Sequence, residues 1–150
     1  MYSIASQLET LIMAYLPQLN AISEEQLYLK PSPTKWSRKE IIGHLIDSAQ
    51  NNIRRFVIAQ YEDNPSITYN QDKWVAAANY QEYSLDDLIN LWVLLNKHII
   101  MILKNLPEGG AAKEVQSEET HTVDWLAADY NKHLLHHLHQ ILNLEEVPYR

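Results

Sequence analysis

Four of the seven histidines stand within one run of seven residues: His133, His136, His137 and His139. The run belongs to a stretch, 122–142, whose apolar residues recur at helical spacing: Val123, Leu126, Ala127, Tyr130, Leu134, Leu138 and Ile141. At about 100° per residue, His133 and His137 fall on that apolar face, His136 at its edge and His139 away from it. Two histidines one turn apart on a helix hold their Cβ atoms roughly 6 Å from each other, so both imidazoles can reach one metal ion. The pair alone fits equally well two core histidines hydrogen-bonded to neighbours. A third histidine in matching context is needed to separate the readings.

A second row of polar side chains lies earlier, in a helix that Ser37-Arg38-Lys39-Glu40 opens as a capping box, with Trp36 and Ile41 placed to staple its start. This helix continues to about Tyr61, and its apolar face is Ile41, Ile42, Leu45, Ala49, Ile53 and Phe56. On the flank of that face run His44, Ser48, Asn51 and Arg55. A solvated helix edge is the default explanation of such a row, but the usual solvent-facing Lys and Glu are missing from it. Side chains lining an internal cleft give the same pattern, and there Ser48, Asn51 and Arg55 would hold a substrate. Arg55 suits a carboxylate or phosphate, or else a structural contact with Asp47 or with a helix C-terminus. Asp47 is placed either to orient an imidazole or to face solvent.

Two more long helices are needed to position these rows. The first runs from a cap at Ser3 to about Leu19 along Ile4, Leu8, Leu11, Ile12, Tyr15, Leu16 and Leu19, and Pro17 should kink it or end it early. Residues 20–35 read as a connector with one turn of helix near Ser23. The segment 62–83 is too long for a simple bundle connection and reads as a crossover carrying a short helix near Gln71 to Ala78, packed down by Trp74. Ser84 opens the third long helix, with Leu88, Leu91, Trp92, Leu95, Ile99, Ile102, Leu103 and Leu106 on its core face. Ile89, Val93, Ile100 and Met101 broaden its apolar surface beyond the needs of one core, which points to a dimer interface. His98 reads as packed or partly exposed, residues 107–120 as a polar loop, and His121 has no assigned role. The class is therefore all-α, four long helices in which the long link lets the third run in the same direction as the second.

Bulk properties narrow the function. The 150 residues fit one domain, 1–150, and a hydrophobic content of 46% is that of a globular chain. With no cysteine, neither a disulfide nor a protein thiol nucleophile exists, and thiol chemistry would need an incoming thiol. A net charge of −7 argues against nucleic acid as partner. No apolar run is long enough to span a membrane, and the N-terminal residues do not read as a signal peptide, so a cytoplasmic location is expected.

The segment from Trp36 through His44, Asp47-Ser48, Asn51 and Arg55-Phe56 resembles the DinB/YfiT-like family of metalloenzymes. Asn64-Pro65-Ser66-Ile67 and Lys73-Trp74 are similar to the crossover of its YfiT branch, and His133-x3-His137 to its last-helix motif. The resemblance implies an up-down-down-up four-helix bundle with a divalent metal held by His44, His133 and His137. Three imidazoles suit several divalent metals, so the sequence does not choose among zinc, nickel, iron and manganese, and zinc or nickel is the expectation ahead of the other two. It also implies a homodimer acting on a small molecule, either as a hydrolase or as a low-molecular-weight-thiol S-transferase. The alternative reading is a non-catalytic dimeric bundle that binds a metal or a small ligand.

Overall fold

The computed structural model describes residues 1–149. Six α-helices occur among them: α1 (Tyr2–Asn20), α2 (Glu24–Tyr28), α3 (Arg38–Ile58), α4 (Gln71–Ala78), α5 (Leu85–Lys104) and α6 (Val123–Leu142). The four long helices anticipated from the sequence are α1, α3, α5 and α6. They form a four-sided bundle in which α3 packs on α5 and α6, and α1 packs on the same two. Its order is up-down-down-up. Asn131 of α6 donates to the Ile4 carbonyl and His139 meets Tyr15, so α1 and α6 run in parallel. His44 faces His133 and His137 while Arg55, a few turns on, shares a cavity wall with Asp129, so α3 and α6 run antiparallel.

Local chemistry explains where the elements begin and end. At Ser37 both halves of the capping box form: its Oγ accepts from the Glu40 N–H at 3.0 Å, and Glu40 Oε1 accepts from the Ser37 N–H at 2.9 Å. Ser23, Asn70 and Ser84 cap α2, α4 and α5 by the first of these two bonds, their side chains accepting from the N–H of Gln26, Lys73 and Asp87. Pro17 does not end α1, which runs on to Asn20 and starts at Tyr2 rather than after a Ser3 cap. A proline in the last turn forfeits one intrahelical bond, and the burial of Leu19 beyond it offsets that loss. Inside, Leu8, Leu45, Phe56, Trp92, Ile99, Leu103, Leu134 and Leu138 interdigitate as one core.

The region read as a polar loop contains a small antiparallel ribbon, β1 (Glu114–Gln116) with β2 (Thr120–Thr122), in which Val115 lies opposite His121. Three-residue strands carry too little alternation to be seen in sequence. The ribbon matters for position. The Ile67 N–H donates to the Gln116 carbonyl at 2.9 Å, and the Gln116 N–H to the Pro65 carbonyl at 3.0 Å, so the crossover is stitched to it.

Candidate metal centre

His44 is buried on α3, and His133 and His137 are half-buried on the facing side of α6. Their rings meet edge to face, with centroids 4.5 to 5.0 Å apart. One nitrogen from each of the three lies within 4.8 Å of the other two. His44 Nε2 and His133 Nε2 are 3.1 Å apart. Two nitrogens bound to one tetrahedral zinc sit roughly 3.3 Å from each other, so this pair already stands near the spacing that an ion requires.

Two of the three remaining ring nitrogens have the partner that a ligand histidine requires. His137 Nδ1 faces Gln140 Oε1 at 2.7 Å and His133 Nδ1 faces Ser48 Oγ at 3.5 Å, which turns Nε2 of each toward the centre. His44 Nδ1 is buried without a hydrogen-bond partner. Burial drives the imidazole pKa of His44 down to about 3, helped by neighbouring His137, and that of His137 down to about 4. Both are neutral at pH 7 and offer lone pairs. The donor set fits a divalent ion.

The indole of Trp36 lies against the His44 ring at 4.9 Å, so this residue covers the centre. Asp47 neither faces solvent nor pairs with Arg55. It is fully buried and accepts from the Tyr80 hydroxyl. Desolvation pushes its carboxyl up to about 6, against the lowering effect of that hydrogen bond. Gly43 makes the arrangement possible, because a Cβ there would stand 2.0 Å from Tyr80 Cδ2.

From His133 a cavity of about 690 Å³ opens between α3, α6, the crossover and the ribbon. Ser48 and Arg55 line it. Asn51 does not: it is fully buried and donates to the Asp47 carbonyl at 2.9 Å, and its neighbour Asn52 takes the wall position instead. The helical phase places the row on the flank of the core, and Asn51 falls on the core side of that edge. Arg55 is tied down, with Nε and Nη2 donating to the Ile67 carbonyl at 3.3 and 3.1 Å and Nη1 to Asn52 at 3.4 Å. Burial lowers its pKa, and Tyr69, Asp129 and Glu118 pull it back up.

Among the lining residues that carried no signal in the sequence are Tyr69, Trp125, Asp129 and Tyr149. His121 stacks on Trp125 at 3.6 Å, nearly parallel, in the same wall. Of the remaining histidines, His98 is exposed on α5, and His139, expected to point away, packs against Tyr15 because α1 occupies that side.

Comparison with known proteins bears on the family and the fold. A Bacillus mycoides protein named "Putative metal-dependent hydrolase" is 29% identical over 116 residues, 74% of this chain, and the alignment spans 65% of that protein's length. YfiT from Bacillus subtilis, described as a probable metal-dependent hydrolase with an unusual four-helix bundle topology, superposes with a TM-score of 0.81 over 94% of this chain and 83% of its own, at 22% identity. A mycothiol-dependent maleylpyruvate isomerase shares the fold at a TM-score of 0.76, covering 97% of this chain and 60% of that one, at 14% identity. The DinB superfamily model matches residues 7–141, nearly the whole bundle, and the chain belongs to that superfamily.

Proposed function

We propose that His44, His133 and His137 hold a divalent metal ion, zinc or nickel ahead of iron or manganese, and that the protein is a small metal-dependent enzyme acting on a small molecule admitted through the adjoining cavity. The observation that carries this reading is the convergence of three imidazole nitrogens from two helices at the end of a polar cavity. Three protein ligands are the number that leaves a position open for chemistry rather than closing a structural site. An ion so held supplies Lewis acidity, by which water or a thiol becomes a nucleophile near neutral pH.

The chain's own residues do the rest. Ser48 and Gln140 orient two of the imidazoles, and Trp36 shields the third from water. Arg55, held by Ile67 and Asn52, brings a fixed positive charge to the cavity wall for a carboxylate or phosphate group of the substrate. The relatives' names support hydrolysis, and the absence of cysteine leaves room for an incoming low-molecular-weight thiol, so the reaction class is hydrolysis or thiol transfer.

The test is elemental analysis of the purified protein, followed by two assays: ester hydrolysis and consumption of 2-mercaptoethanol against an electrophile. Turnover in either, lost in His133→Ala, supports the enzyme reading. Stoichiometric metal with no turnover in both favours the non-catalytic binding bundle. We also read the exposed Leu94 and Met101 of α5, 63% and 57% accessible, as part of a homodimer contact, which light scattering on Leu94→Glu decides.

A further inference from the structure

His136 and His139 take no part in the histidine cluster, yet each spends a ring nitrogen on the chain that follows α6. The helix stops at Asn143, whose left-handed conformation (φ 54, ψ 43) turns the chain back. The N–H groups of Asn143 and Leu144 return to the carbonyls of Gln140 and His139, the bond pair of a Schellman motif. The chain then retraces α6 from its end toward its middle.

Each further step is pinned. The Glu145 carbonyl accepts from His139 Nδ1 at 2.7 Å, and the Val147 carbonyl from His136 Nδ1 at 2.6 Å. Because a carbonyl can only accept, both rings carry a proton on Nδ1, and Nε2 of His139 pairs with the Tyr15 hydroxyl at 2.8 Å. The retracing ends with Tyr149, whose hydroxyl donates to Asp129 Oδ2 at 2.8 Å. Its ring stands edge-on to His133 with centroids 5.2 Å apart and tilts against His136 at 5.9 Å. Tyr149 thereby becomes part of the cavity wall next to a nitrogen donor of the cluster.

We propose that residues 143–149 are a strap, pinned by His139 and His136, which sets Tyr149 as a specificity-determining wall beside the histidine cluster. This rests on the metal-centre reading above. The strap explains why α6 carries two histidines that its metal chemistry does not use. It also assigns Tyr149 a direction of effect: its ring narrows the approach to His133, so a molecule slender at its reacting end passes and one branched there is turned away.

The test uses the cobalt(II)-loaded full chain with two neutral thiols of different girth, 2-mercaptoethanol and 1-thio-β-D-glucose, followed by the thiolate-to-cobalt absorption band. In Tyr149→Ala the affinity ratio should move toward the bulkier thiol by about fivefold or more, whereas Tyr149→Phe, which keeps the ring, should hold the wild-type ratio. His136→Ala should shift the ratio in the same direction by releasing the strap. His136→Asn, whose side-chain amide N–H can replace the lost donor, should restore it. A merely structural strap leaves the ratio unchanged in every variant, and that result overturns the proposal, as does cobalt uptake with no thiol band in any of them. Failure of the wild type to take up cobalt instead overturns the metal-centre reading on which the strap's role depends.

Discussion

At the scale of single residues, one run of histidines divides into two jobs. His133 and His137 turn toward His44, while His136 and His139 turn toward the chain that follows α6. Alanine at His44, His133 or His137 should therefore remove most of the bound metal, and alanine at His139 or His136 should leave it. Elemental analysis of the five variants checks this, and full occupancy in His44→Ala would sink the three-histidine site. Protonation gives an independent reading. His44 and His137, held at about 3 and about 4, are already unprotonated at pH 6 and yield no proton to an entering ion. Calorimetry at pH 6 in two buffers of different ionisation enthalpy should give about one proton or fewer released per ion, where three ordinary imidazoles would give about two. The same shifts act on the metal-free fold. Unfolded imidazoles titrate near 6.5 and bind protons that the folded ones refuse, so stability falls as the pH drops from 6.5 toward about 3. Asp47 works the other way: raised from 3.8 to about 6, its contribution is full below 3.8 and is lost as pH rises through 6. Two imidazoles outweigh one carboxyl, so the urea midpoint of the chelated protein should be lower at pH 4.5 than at pH 7.

At the scale of elements, α3 is the piece on which the site is assembled, and its fit depends on one missing methyl group. Gly43 lets the Tyr80 ring lie flat on the helix and reach Asp47. Gly43→Ala puts a Cβ into that ring, and overpacking of this kind costs about 1–3 kcal/mol. Denaturant unfolding should show the loss in the native background and little of it beside Tyr80→Ala, where the ring is gone. Equal losses in both backgrounds would show that the cost is not the clash. Much of this element could be read in advance. The capping box at Ser37, the apolar stripe and the flanking row of His44, Ser48 and Arg55 are all periodic, and periodicity survives without knowledge of the partners. Asn51 shows the limit. It sits at the border of two faces, and a rotation of a few tens of degrees decides between core and cavity. The rest of the cavity was hidden for a different reason. Tyr69, the ribbon and Tyr149 come from segments without a repeating pattern, and they reach the site only through long-range pairings such as Ile67 with Gln116 and His136 with Val147.

At the scale of the whole molecule, the question is whether the ion creates the fold or only completes it. The core runs through all four long helices, from Leu8 and Ile12 of α1 to Leu134 and Leu138 of α6, and Leu45, Phe56, Trp92 and Leu103 in between are each almost fully buried. Each such side chain contributes about 1.5–3 kcal/mol of burial, and none of them depends on a ligand nitrogen. The three histidines instead tie only α3 to α6, a pair of helices that already pack against each other. Metal is then an added term rather than the foundation, in contrast to domains that are unfolded without it. At a hundredfold excess over its dissociation constant, an ion adds about 2.7 kcal/mol. For a domain of this size each kcal/mol moves the midpoint by about 2–4 °C, so chelation should lower the Tm by about 5–10 °C. Circular dichroism melts with and without chelator should show the same helical signal at 25 °C and a cooperative transition in both. A chelated protein that is unfolded at room temperature would show that the histidine centre, and not the apolar core, holds the bundle together.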